Sequence, residues 1–141
     1  MHYFISLISS RFDKSPDAGR DNVNNLCGAD LIRFVAQQMG YQVYDVYNED
    51  YGRVLATKAD NLVVEIIVVD LRPGEVAFGG ISPIDGPNWA ISVETKRLVG
   101  KRLFLFPKYE STEACAQIGK TLEGFLMANG DKIITSELAS A

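Results

Sequence analysis

From Leu62 to Val69 every residue is apolar except Glu65. An eight-residue run of Leu, Val and Ile, apolar on both alternating faces, is the pattern of a central strand covered on both sides. Strand-like runs precede it at Tyr41–Tyr47 and Tyr51–Lys58, and its own strand extends over Asn61–Asp70. Lys58-Ala59-Asp60-Asn61 supplies a hairpin turn between the last two. Consecutive strands with such short connections pair antiparallel, because parallel neighbours need long crossovers.

The remaining segments add two helices and further strands. A first strand is expected at Tyr3–Ser9, followed by a polar surface loop over Asp13–Asn25. Asn24 or Asn25 then caps a helix whose apolar stripe is Leu31, Phe34, Val35 and Met39, with Gly40 placed to end it. A Pro- and Gly-rich stretch, Pro73–Asn88, leaves room for a short strand at Val76–Phe78. Trp89, Ile91, Val93 and Thr95 alternate with Ala90, Ser92 and Glu94, which is a half-buried strand, and Arg102–Phe106 reads as another. A last helix begins near Ser111 or Thr112, carries Ala114, Ile118, Leu122, Phe125 and Leu126 on one face, and stops at Asn129-Gly130. Lys132–Thr135 forms a short final strand. The expectation is one domain, 1–141, of α+β class: a single, mainly antiparallel, twisted sheet of about five to seven strands with two helices on one face. The other face, read as carrying Tyr, Trp and Thr, is expected to meet a second subunit.

Composition narrows the function classes. With 14 basic against 18 acidic residues the net charge is −4, which disfavours nucleic acid as a partner. There is one histidine, His2, and the two cysteines, Cys27 and Cys115, are too far apart in sequence for a CxxC pair. This poverty disfavours metal sites and Ser-His or Cys-His catalysis, and no cofactor is expected. No run approaches the roughly 20 apolar residues of a membrane helix, and the N-terminus lacks the basic region of a signal peptide. The chain reads as a cytoplasmic protein with no membrane partner.

Four features could carry chemistry. Glu49 and Asp50 are adjacent carboxylates in Asn48-Glu49-Asp50-Tyr51-Gly52-Arg53, a segment that is either a solvated bend or a functional patch. Glu65 interrupts the apolar run. Folding the hairpin about Ala59-Asp60 sets Arg53 opposite it, so the two form either a cross-strand ion pair or leave Glu65 as a ligand-facing carboxylate. Lys96, Arg97, Lys101 and Arg102 are the main basic cluster, read as solvated charge on a hairpin or edge strand. Cys27 stands at a helix N-terminus, a position that can lower a thiol's pKa, but with apolar neighbours and no histidine placed nearby it reads, like Cys115, as a small buried thiol. The glycines of 79–88 match no phosphate-binding fingerprint.

Asn25-Leu26-Cys27-Gly28-Ala29-Asp30-Leu31, followed beyond the helix by Glu49-Asp50-Tyr51-Gly52, resembles the N-x-x-G-x-D-L helix start and E-D-[WY]-G-W strand of a group of small bacterial proteins. Trp89 and the helix from Ser111 fill the places of that group's later tryptophan strand and closing helix. The group resembles toxin-immunity proteins and products of mobile (integron) gene cassettes. Arg53 departs from the pattern, which has Trp there, although Arg is itself a common interface anchor. The resemblance implies a non-enzymatic binding protein that holds a protein partner or itself, as a homodimer, through a sheet or loop surface. Its candidate residues are Glu49, Asp50, Tyr51, Arg53, Glu65 and Trp89. The alternative is a small-molecule binding domain or enzyme with a pocket bounded by Tyr51, Glu65, Trp89 and the 73–88 loop.

Overall fold

In chain order the elements are β1 (His2–Ile8), α1 (Ala29–Met39), β2 (Val43–Asn48), β3 (Arg53–Ala59), β4 (Leu62–Asp70), β5 (Val76–Ala77), β6 (Gly80–Ile81), β7 (Trp89–Lys101), β8 (Pro107–Ser111), α2 (Ala114–Ala128) and β9 (Lys132–Ala139). The computed structural model describes residues 1–17, 26–48, 52–59, 61–72, 76–77, 80–81, 86–101 and 107–139. Seven strands form one antiparallel sheet in the order β2-β3-β4-β7-β1-β9, with β8 also paired to β7. β5 and β6 form a separate two-stranded ribbon.

β7 is the hinge of this arrangement. One edge pairs with β4 from Leu62↔Arg97 to Asp70↔Trp89. Its other edge is shared: Trp89 to Glu94 pair with β1, and Lys96 to Lys101 pair with β8. The expected strand at Arg102–Phe106 lies outside the described residues. β8 follows it, so Pro107 opens a strand instead of closing one. β9 is longer than expected, continuing to Ala139 along the far side of β1.

Both helices pack on one face of the sheet, as their stripes dictate. Leu31, Ile32 and Val35 of α1 and Cys115, Leu122 and Leu126 of α2 are buried against Ile5, Leu7, Leu55, Ile66, Val68, Ile91 and Val93. Gly40 takes a left-handed conformation (φ 67°), and Tyr41 N–H reaches back to the Ala36 carbonyl, closing α1. α2 approaches β1 closely at Gly119: a Cβ there would stand 2.0 Å from Cδ1 of the Tyr3 ring. Tyr3 in turn donates its hydroxyl proton to Glu123 of the same helix at 3.0 Å. The N-terminus of α2 is served by Thr112, whose hydroxyl accepts from Ala114 N–H at 3.3 Å, with Glu113 in the cap position.

Two expectations are corrected. Asn24 and Asn25 lie outside the described residues, and the residue before α1 is Gly28, left-handed at φ 116°. The carboxylate of Asp17, twelve residues upstream, accepts from Ala29 N–H at 3.2 Å. Trp89 faces the helices, not the opposite side. It is fully buried in the main core, edge-on to Phe12. Alternation correctly groups Trp89 with Ile91, Val93 and Thr95, and it is this whole set that meets the helices.

Candidate functional site

The residues that carry the sequence pattern converge on Val68 and Trp89. A Cβ on Gly28 would lie 2.8 Å from Val68 Cγ2 and 3.4 Å from the Trp89 ring. A Cβ on Gly52 would lie 2.6 Å from the Val68 carbonyl oxygen. Both positions therefore need glycine to let two segments touch β4, one where α1 begins and one where β3 begins. Asp30 accepts from Asp13 N–H at 2.7 Å, holding the chain that leads from β1 towards α1. Gly28, Asp30 and Gly52 are thus parts of a packing junction.

Charged side chains close the end of this junction. Lys14 Nζ bonds Asp70 and the carbonyls of Asn88 and Leu71, and lies 4.2 Å from the centre of the Trp89 ring. Asp70 also meets Arg72 at 3.3 Å. Burial first, and then the Asp70 carboxylate, push the Cys27 thiol up to about 12, in keeping with the buried thiol that its apolar neighbours predict and against activation by the helix start. Cys27 is a neutral, buried thiol, not a nucleophile. Lys14, Asp17 and Asp70 were not singled out in the sequence, because each sits in a turn or at a strand end where solvated charge is the rule.

Arg53 does not pair with Glu65. The hairpin register sets Arg53 opposite Val68 and Glu65 opposite Ala56, because Ala59 pairs with Leu62 and the turn lies beyond Ala59. Alternation puts Arg53 on the helix side with Leu55, and its Nε lies 3.2 Å from Asp17 Oδ2. Burial raises the Asp17 carboxyl above its ordinary range against the opposing pull of Arg53 and Ala29 N–H. Glu49, Asp50 and Tyr51 lie outside the described residues. A pocket shared by Glu65 and Trp89 is ruled out by the pleat: Trp89 pairs with Asp70, five residues along β4 from Glu65, so the two side chains leave opposite faces.

The face opposite the helices divides into two parts. Near the Asp70 end, Val69, Leu71 and Ala90 form a small apolar cluster with Ile67 against it. Further along runs a polar row: Glu65 stands directly opposite Glu94 on β7, and Glu94 directly opposite His2 on β1. His2 Nε2 is 3.8 Å from Glu94 Oε2, and Lys96 Nζ is 3.5 Å from Glu94 Oε1. Glu65 has no ion-pair partner among the described residues. His2, which the sequence leaves remote from every candidate group, is therefore part of this row.

His2 Nδ1 also lies 3.2 Å from Ser92 Oγ, so Ser92, His2 and Glu94 stand in a line. The line lacks what acyl transfer needs. Ser92 is buried, and the backbone around it is paired to both β4 and β1, which leaves no nearby N–H pair for an oxyanion. Among the described residues no three His, Cys, Asp or Glu side chains are placed to hold a metal ion, and no helix is long and apolar enough to cross a membrane.

No family model, curated protein or solved structure matches this chain. The polar row and the junction are accordingly assigned from their geometry. The junction is closed by its own packing and ion pairs, with the buried Trp89 indole N–H left without a hydrogen-bond partner among the described residues, whereas the row contains a carboxylate whose charge is unanswered.

Proposed function

We propose that this chain is a non-enzymatic, immunity-like binding protein that engages a basic protein partner through the polar row of the sheet face opposite the helices. The observation that carries the reading is the direct opposition of Glu65 and Glu94 across β4 and β7. Like charges facing each other across a ladder destabilise a sheet by about 0.2–1 kcal/mol. A Lys or Arg of a partner placed between them turns that cost into a charge-assisted contact. The net charge of −4 supports the same reading, since a complementary field speeds association with a basic protein.

Affinity capture from the native host, with wild type beside Glu65→Lys, tests it. A basic protein recovered with wild type, lost with Glu65→Lys and retained by a Glu110→Gln control supports the reading. Recovery of the same protein by all three variants, or of no basic protein at all, overturns it. Glu65→Gln is expected to raise the melting temperature slightly, with the gain shrinking in high salt as repulsion is screened.

A further inference from the structure

Among the described residues β9 ends the sheet, with β1 on one side and no strand on the other. Natural edge strands are blunted by proline, by inward charge or by frequent lysine. β9 has no proline, and its one lysine, Lys132, is its first residue. From Ile134 to Leu138 the side chains are exposed, with Ile134 at 39% and Leu138 at 42%. Met127, near the end of the preceding helix, is 55% exposed. A bulge adds to this: Leu7 pairs with Ile133 and Ser6 with Thr135, so Ile134 is left without a partner on β1.

We infer that β9 pairs antiparallel with β9 of a second copy, about a two-fold axis perpendicular to the sheet at Ser136. The sequence is self-complementary in this register. Ile134 of each copy faces Leu138 of the other, joining the two exposed apolar side chains of the strand twice. Glu137 faces the second copy's Thr135, so the two Glu137 carboxylates are not directly opposed. Lys132 and Glu137 share the side of the sheet that carries Ile8 and Phe4, their partners on β1. With the bulge at Ile134 taking one place, each Glu137 has the second copy's Lys132 on one diagonal, a complementary pair repeated by the axis, and the second copy's Glu137 on the other. Pairing here joins two seven-stranded sheets into one and satisfies the free backbone groups of both edges. A two-fold contact closes on itself and leaves no edge of β9 for a third copy. Two strands, β7 and β1, separate β9 from β4, so Glu65 stays accessible and the inference does not depend on the partner-binding reading.

Light scattering and sedimentation of the full chain over a concentration series test the inference. The expected mass at high concentration is twice 15.5 kDa. Combined Ile134→Lys and Leu138→Lys substitution, at exposed positions and with an unchanged far-ultraviolet circular dichroism spectrum, is expected to give the single-chain mass throughout. Ser136→Cys is expected to form an intermolecular disulfide under mild oxidation, because Cys27 and Cys115 are buried and leave residue 136 as the reactive thiol. A single-chain mass at every concentration, a dimer that survives the double lysine substitution, a mass that grows past two chains, or a Ser136→Cys protein that does not cross-link would each overturn it.

Discussion

Arg11 grips Asp131 with two nitrogens: Nε lies 3.1 Å from Oδ1, and Nη2 bonds Oδ2. The guanidinium is also 4.6 Å from the centres of both the Phe12 and Phe34 rings. This fork ties the segment after β1 to the turn between α2 and β9. The two partners are unequally sheltered, with the Arg11 side chain 32% exposed and that of Asp131 only 2%.

Removing the arginine therefore strands a buried carboxylate. Arg11→Ala is expected to cost about 3 kcal/mol or more in chemical denaturation. Arg11→Lys should recover only part of that loss, because an ammonium cannot reproduce the bidentate fork. Equal stability of Arg11→Ala and wild type would show that the contact contributes nothing.

The glycines separate backbone strain from crowding. Gly40→Ala has open space around the new methyl and a left-handed φ, so it should cost about 1–2 kcal/mol. Gly28→Ala adds a 2.8 Å approach to Val68 to its unfavourable φ and should cost about 2–4 kcal/mol. Gly52→Ala meets a backbone oxygen that cannot rotate away and should rank with Gly28→Ala. Melting temperatures that put Gly40→Ala lowest would refute this order.

Stability should fall at alkaline pH. Burial holds Cys27 up at about 12 and raises Cys115, Tyr3 and Tyr41 above their ordinary values. In the unfolded chain a thiol ionises near about 8.5 and a phenol near about 10. Their contribution is complete below those values and is lost as pH rises towards the folded ones. The melting temperature of wild type is expected to drop above about pH 9, with a shallower drop in Cys27→Ala, while native Cys27 resists thiol reagents at neutral pH. Rapid labelling of native Cys27 at pH 7 would contradict the assignment.

A double-mutant cycle distinguishes the partner of Arg53. Arg53→Ala and Asp17→Ala should couple by about 1 kcal/mol, whereas Arg53→Ala and Glu65→Ala should add to within about 0.5 kcal/mol. Coupling to Glu65 instead would restore the cross-strand pair that the register denies.

Local pattern carried much of the fold. The stripes of both helices, the alternation of Trp89 to Thr95 and the apolar run at Leu62–Val69 all report which residues share a face; Leu31, Val35, Leu122, Leu126, Trp89, Ile91, Val93 and Thr95 are buried, whereas Phe34, Met39, Ala114, Ile118 and Phe125 are half-buried and Cys115 and Gly119 complete the buried face of α2. Alternation does not report which face meets the helices, and so Trp89 was expected on the wrong side. The Arg53–Glu65 pairing failed for a related reason. Lys58-Ala59-Asp60-Asn61 allows more than one turn: folding about Ala59-Asp60 sets Arg53 near Glu65, whereas the turn beyond Ala59 sets it opposite Val68, three residues further along β4, and an odd shift carries a side chain to the other face. The cap of α1 by Asp17 and the Glu65–Glu94–His2 row join residues far apart in sequence, where no local signal exists.

The place of β1 in the sheet sets an order of events for the growing chain. Its two neighbours are β7, which begins at Trp89, and β9, which begins at Lys132. When the β3–β4 hairpin has already left the ribosome, the first strand still has neither partner. It must wait with Tyr3, Ile5 and Leu7 uncovered until most of the polypeptide has been made. Slow translation between β4 and β7 would prolong that exposure, so for this chain the yield of folded protein depends on synthesis rate as well as on final stability.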